Sequence, residues 1–194
     1  MGWAIWITGL PGSGKTTLAR AVALALAARG IPVKVLELDQ IRKVVTPRPA
    51  YTDAEREIVY RALAYMAKLL TEAGVPVLID ATAHRRAWRQ LARGLIPAFA
   101  EVQLLCPIEV CRAREQGRRS QYAPPGIYAR GGEPGATVPG VDVPYEVSLQ
   151  AELILNTDEC DHWTQVQEVL YLVRRLARRV VFHEVRMERR PLCE

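Results

Sequence analysis

No stretch of this chain is apolar for long enough to cross a bilayer. No basic segment precedes the apolar run at its N-terminus, so that run reads as a first strand rather than a secretory leader. Met1-Gly2 lacks the serine or threonine at position 6 that N-myristoylation requires, since Trp6 stands there. Cysteine is scarce. Cys106, Cys111, Cys160 and Cys193 show neither C-x-x-C spacing nor histidines at zinc spacing, which argues against a metal cluster and for reduced thiols in a cytoplasm. His84, His162 and His183 are isolated, and each reads as a surface or satisfied core side chain. There is no internal repeat, no low-complexity tract and no N-K-x-D guanine reader, so a switch GTPase is excluded.

What is present is ordinary in bulk and specific in one place. A length of 194 residues allows one domain with a full α/β core. The net charge of +5 suits anionic ligands, but it is spread over many arginines and does not by itself point to nucleic acid. Gly9-Leu10-Pro11-Gly12-Ser13-Gly14-Lys15-Thr16-Thr17 is a complete G-x-x-x-x-G-K-[ST] loop between a strand-like run, Ala4 to Thr8, and a helix-like run, Thr17 to Ala28. Its glycines let several backbone N–H groups turn inward, and the following helix adds its positive end, so a triphosphate meets fixed donors. Lys15 is expected to reach the β- and γ-phosphates of ATP, and the Thr16 hydroxyl to ligate Mg²⁺.

Five apolar runs, at Ala4 to Leu10, Val33 to Leu38, Val75 to Ile79, Val102 to Leu105 and Ala151 to Leu155, alternate with helical segments. That pattern predicts an α/β P-loop NTPase with a five-stranded parallel sheet and helices on both faces. Helices are expected at Lys15 to Ala28, closed by Gly30, and from a Thr52-Asp53 cap to about Glu72, with Ile58, Leu63, Met66 and Leu70 inward. Shorter ones follow at Arg85 to Arg93 and Ile108 to Glu115, and a last one at about His162 to Arg178. Proline and glycine crowd residues 116–145, which reads as a mobile lid within a kinase domain spanning 1–179. The tail, 180–194, alternates polar and apolar residues and is left between an edge strand and a dimer contact, so a homodimer stays open.

Ligands of open α/β sheets lie beyond the carboxyl ends of the strands. Asp39, expected to end the second strand, and Arg42, one helical turn on, would supply a carboxylate for an acceptor hydroxyl and a guanidinium for an anionic acceptor. Asp80 ends Val77-Leu78-Ile79 in the manner of a Walker B acid near Mg²⁺, directly or through Thr16, and Thr82 follows it. A phosphotransferase with a small acceptor fits this set best, and no membrane or nucleic-acid partner is expected.

At these residues the chain resembles the adenylyl-sulfate (APS) kinase family from about Trp3 to Thr157. The likeness rests on the phosphate loop, Leu36 to Arg42, Tyr51 to Arg56, Phe99 to Val102 with Pro107 to Cys111, Gly126-Ile127-Tyr128, and Gly140 to Glu146. It implies transfer of a phosphoryl group from ATP, with Mg²⁺, to the 3′-hydroxyl of APS. It further implies that Asp39 orients or deprotonates that hydroxyl, that Arg42 and Arg56 grip the phosphosulfate, and that Tyr51 stacks on the APS adenine. Tyr128 falls in a substrate-binding block of the lid, and Arg114 would lie against the ATP adenine. The chain departs from the family pattern at Glu37, Leu38, Val59, Pro125 and Val138, and carries roughly eight extra residues between Glu115 and Pro125. A related kinase for a polynucleotide 5′-hydroxyl or another small molecule, and a nucleotide-binding subunit without turnover, are the competing readings.

Overall fold

The computed structural model describes residues 1–117 and 122–188, the last ten of these by backbone only. The inserted residues at 118–121 and the end of the tail, 189–194, lie outside the described residues. The strands are β1 (Ala4–Thr8), β2 (Lys34–Glu37), β3 (Val77–Asp80), β4 (Phe99–Leu105) and β5 (Leu153–Asn156). The helices are α1 (Lys15–Ala27), α2 (Leu38–Val45), α3 (Asp53–Glu72), α4 (Arg86–Leu95), α5 (Ile108–Gln116) and α6 (His162–Glu188), with one 3-10 turn at Tyr128–Arg130. The sheet is parallel throughout, in the order β2-β3-β1-β4-β5.

Strand β1 shows why the sheet is covered on both sides. Ile5 and Ile7 pack with Leu18, Val22 and Leu26 of α1 and with Val169, Leu172 and Leu176 of α6. Their neighbours Ala4 and Trp6 face the other way, into Val59, Tyr60 and Leu63 of α3 and Trp88 and Ala92 of α4. A period of two with both faces buried is what a central parallel strand requires. The registers Ile7↔Asp80 and Glu37↔Asp80 bring the carboxyl ends of β1, β2 and β3 level. Because the chain crosses from β3 on one side of β1 to β4 on the other, the cleft for a ligand opens there.

Three local expectations are corrected. Strand β2 closes at Glu37, and Asp39 is the second residue of α2, a helix of eight residues, rather than the end of the strand. On α3, Ile58 is 64% exposed, while Val59, Tyr60 and Leu63 take the inward face with Arg56. Leu63, Met66 and Leu70 pack against the core as expected, and the inward face also holds Arg56, which is hydrogen-bonded there. The backbone of α6 stays helical to Glu188, so 180–188 form no edge strand. Among the described residues no helix is long and apolar enough to cross a membrane.

Leu63→Ala should lower unfolding free energy by about 2–5 kcal/mol, whereas Ile58→Ala should stay within about 0.5 kcal/mol. Urea denaturation of the two variants measures this, and equal losses would restore the original face.

Candidate active site

The phosphate loop is set by contacts that tolerate no side chain. Gly12 has φ 81°, and a Cβ there would collide with the carbonyl of Cys111 on α5, so only glycine fits. Gly14, also left-handed, stands before α1, which starts with no side-chain cap. A helix that starts in this way presents the positive end of its dipole to the loop, where an anion is favoured. Lys15 is buried, and its ammonium donates to the carbonyls of Gly9 at 3.1 Å and Leu10 at 2.9 Å, which holds it across the loop mouth.

Asp80 lies at the floor of this loop. Burial raises the pKa of its carboxyl, opposed by the positive charge of Lys15 and a hydrogen bond from Thr16. The expected pairing of Asp80 with Thr16 is thus present in the geometry. Among the described residues no cluster of three or more His, Cys, Asp or Glu could hold a metal by itself. One hydroxyl and one carboxylate beside a phosphate cradle fit Mg²⁺, which keeps most of its ligands as water and substrate phosphate.

On the α2–α3 side a cavity of about 300 Å³ opens beside Pro11 of the loop. Asp39, Arg42, Tyr51, Arg56, Tyr60 and Thr82 line it from the domain, and Ile127, Arg130, Thr137 and Val138 from the strap 122–145. Arg42 is 6% exposed, donates to Glu55 Oε1 at 2.9 Å, and lies with its guanidinium carbon 5.2 Å from the Tyr51 ring centroid. Glu55 is the acid of the Thr52-x-x-Glu55 cap. Its backbone N–H donates to Thr52, while its Oε2 accepts from the N–H groups of Ala50 and Tyr51. One carboxylate thereby starts α3, shapes the loop that carries Tyr51 and orients Arg42.

Arg56 is also buried, and burial lowers the pKa of its guanidinium. Against it stands His84, 3% exposed, whose imidazole is pushed down to about 4 by burial and then by Arg56 and Arg85, with Asp53 and Glu146 acting in the opposite sense. The expectation of a satisfied core histidine fits this position.

A third group ties the end of the strap to the sheet. Arg89, 1% exposed, pairs with Glu101 of β4 at 2.8 Å, donates to the carbonyls of Ala83 and Glu146, and lies under the Tyr145 ring. The Tyr145 hydroxyl is 2.9 Å from Thr8 Oγ1, one residue before the phosphate loop. A buried pair of this kind adds little net stability, yet leaving one partner alone is costly.

The structure does not bring every expected residue to one place. Tyr128 is not among the residues that line this cavity: its hydroxyl donates to the Pro11 carbonyl at 2.7 Å and Arg112 covers its ring. These contacts fasten the strap to the phosphate loop at Tyr128. Arg114 is on α5 and donates to Thr157 Oγ1 and to its carbonyl, next to the loop after β5. Two of the departures have structural accounts: Glu37 takes a two-pronged contact from Arg20 at 3.0 and 3.1 Å, and Val59 is fully buried in the core. Arg130, Glu133 and Thr137 line the cavity without having been singled out, because a Pro/Gly-rich segment carries no periodicity from which side-chain direction can be read.

The family model for adenylylsulphate kinase matches residues 1–156. The chain belongs to the adenylyl-sulfate kinase family. It is 37% identical to the adenylyl-sulfate kinase of Synechococcus sp. strain JA-2-3B'a(2-13), over 81% of this chain and 86% of that one. It is 35% identical to a probable adenylyl-sulfate kinase of Archaeoglobus fulgidus, over 83% and 99%. The APS kinase of Mycobacterium tuberculosis, solved in complex with AMPPNP and APS, superposes with a TM-score of 0.78 at 31% identity, over 89% of this chain and 98% of that one. Membership makes the chain a P-loop kinase that transfers a phosphoryl group to an alcohol.

His84 takes up a proton near pH 6.5 in the unfolded chain but only near 4 in the fold. Its neutral form contributes stability that is complete above pH 6.5 and is lost as pH falls toward 4, by about 2–4 kcal/mol. His84→Gln should flatten that part of the stability profile between pH 6.5 and 4, measured by urea unfolding at several pH values; an unchanged slope would refute the assignment.

Proposed function

We infer that this chain phosphorylates the 3′-hydroxyl of adenylyl sulfate with ATP, giving PAPS and ADP. The carrying observation is a cavity beside Pro11 of the phosphate loop that Asp39, Arg42 and Tyr51 line together. Family membership and the likeness to a kinase that held APS and AMPPNP together support the same reading.

In this reading ATP lies with its phosphates on the N–H groups of residues 9–17, and Lys15 swings from the loop carbonyls to the β- and γ-oxygens. Thr16 and Asp80 would hold Mg²⁺, which supplies positive charge at the β- and γ-phosphates. Arg114 lies against the ATP adenine. The APS adenine stacks on Tyr51, and Arg42 presents its guanidinium to the phosphosulfate, since its Glu55 contact uses only one of its five N–H groups. Asp39 accepts or orients the proton of the 3′-hydroxyl as that oxygen bonds to the γ-phosphorus and the bond to the β–γ bridging oxygen breaks, releasing ADP. The strap 122–145 acts as a cover, excluding water that would otherwise accept the phosphoryl group. Free thiols at Cys106, Cys111 and Cys160 are compatible with a reducing cytoplasm.

Asp39→Asn should lower kcat by about 10²–10⁴ while leaving the KM for ATP within about twofold. Coupled ADP release measures both, and full turnover in the variant would remove Asp39 from the reaction. In the wild type, ADP release should depend on APS. Release that requires an oligonucleotide hydroxyl instead would overturn the acceptor assignment.

A further inference from the structure

On its α2–α3 side the cavity is held by a closed ring of three contacts that runs through one carboxylate. Glu55 Oε1 accepts from Arg42 at 2.9 Å. Glu55 Oε2 accepts from the backbone N–H of Tyr51 at 3.2 Å and from that of Ala50 at 2.5 Å. The ring closes through space, since the Arg42 guanidinium carbon lies 5.2 Å from the Tyr51 ring centroid. Arg42 and Tyr51 both line the cavity, whereas Glu55 stands behind them and is not among its lining residues. Tyr51 has φ 55°, a left-handed backbone that a bulky residue adopts only where its surroundings impose it. Glu55 restrains that residue at its N–H. The Thr52 hydroxyl, accepting from the Glu55 N–H at 3.2 Å, ties the carboxylate's own backbone to the same turn.

We propose that Glu55 is a positioning residue: one carboxylate outside the cavity presets the two groups that meet the acceptor, the guanidinium of Arg42 and the ring of Tyr51. For its kinetic consequence the proposal rests on the acceptor reading of the cavity. Glu55 acts on an anionic acceptor in two ways of opposite sign. Its negative charge, one hydrogen bond behind Arg42, repels the phosphosulfate and weakens binding. Its hold on Arg42 and Tyr51 spares the acceptor the entropic cost of ordering a long side chain and a strained loop. The second effect dominates, because the Arg42 side chain is only 8% exposed, and a guanidinium so buried turns away toward water when its carboxylate is removed.

Glu55→Gln separates the two effects with the fold intact, since glutamine serves equally well at the third position of such a helix cap. It removes the charge and the ion pair but leaves a carbonyl oxygen for the loop amides. The KM for APS should rise by about tenfold, with the KM for ATP within about twofold and the melting temperature within about 3 °C. Repulsion alone predicts the reverse, so a KM for APS that falls or stays the same overturns the proposal. Equal rises in both Michaelis constants would make Glu55 a merely structural residue and refute it as well. Glu55→Ala, which also frees the loop, should raise the KM for APS further, by about a hundredfold. Hydrogen exchange of the free enzyme decides the loop half without any acceptor. In Glu55→Ala the amides of Ala50 and Tyr51 should exchange faster by about tenfold or more, with those of Val59 to Leu70 on α3 unchanged. Unaltered exchange at Ala50 and Tyr51 shows that the carboxylate does not set the loop. If the wild type does not turn APS over at all, the acceptor reading fails while the exchange result still decides whether Glu55 shapes the wall.

Discussion

The structure depends on a buried acid held between a cation and a hydroxyl at the switch point of a parallel sheet. Asp80 enters the interior at the end of β3 because Val77, Leu78 and Ile79 are wholly buried, and a carboxylate so placed is costly unless charge and hydrogen bonds meet it. Lys15 and Thr16 meet it from the first turn of α1. The same two residues close the phosphate loop, so the loop and the strand end fix one another. The level ends of β1, β2 and β3 then set the direction in which every nearby side chain works.

Arginine does three different jobs around that point. Arg42 stays close to the cavity because Glu55 steadies it, Arg56 lines the cavity where the strap meets it, and Arg89 is sunk beneath Tyr145 with Glu101 as counter-ion. Composition alone does not separate them, since each is a basic residue on a helix. Their separation comes from depth and from acceptors: a guanidinium closed in by a carboxylate and carbonyls, as at Arg89, becomes a brace, and one with only part of its fork engaged retains the capacity to bind anions.

How much was legible follows from which signals are local. The loop Gly9–Thr17, the five strands and the cap of α3 at Thr52 are written in neighbouring residues, and the structure reproduces them. Helix α2 hid because Leu38-Asp39 continues the apolar run of β2 without a break, so the turn from strand to helix has no punctuation. On α3 only Ile58 was misplaced, because the first turn of the inward face is held by a charged residue, Arg56, rather than by an apolar one. Tyr128 was assigned to the acceptor from its place in a motif. The direction of its ring is decided by Pro11 and Arg112, far away in sequence.

Both feet of the strap stand on the same short piece of chain. Tyr128 is bonded to Pro11 and Tyr145 to Thr8, three residues apart, even though seventeen residues separate the tyrosines. The strap is therefore a handle with two of its fastenings on neighbouring points at the nucleotide loop, and a third at Thr137 in its bow. Extra length ahead of Tyr128 is cheap in such a design, because closure entropy grows only as the logarithm of loop length. Evolution can lengthen the handle's approach while the grip on the nucleotide loop is inherited unchanged.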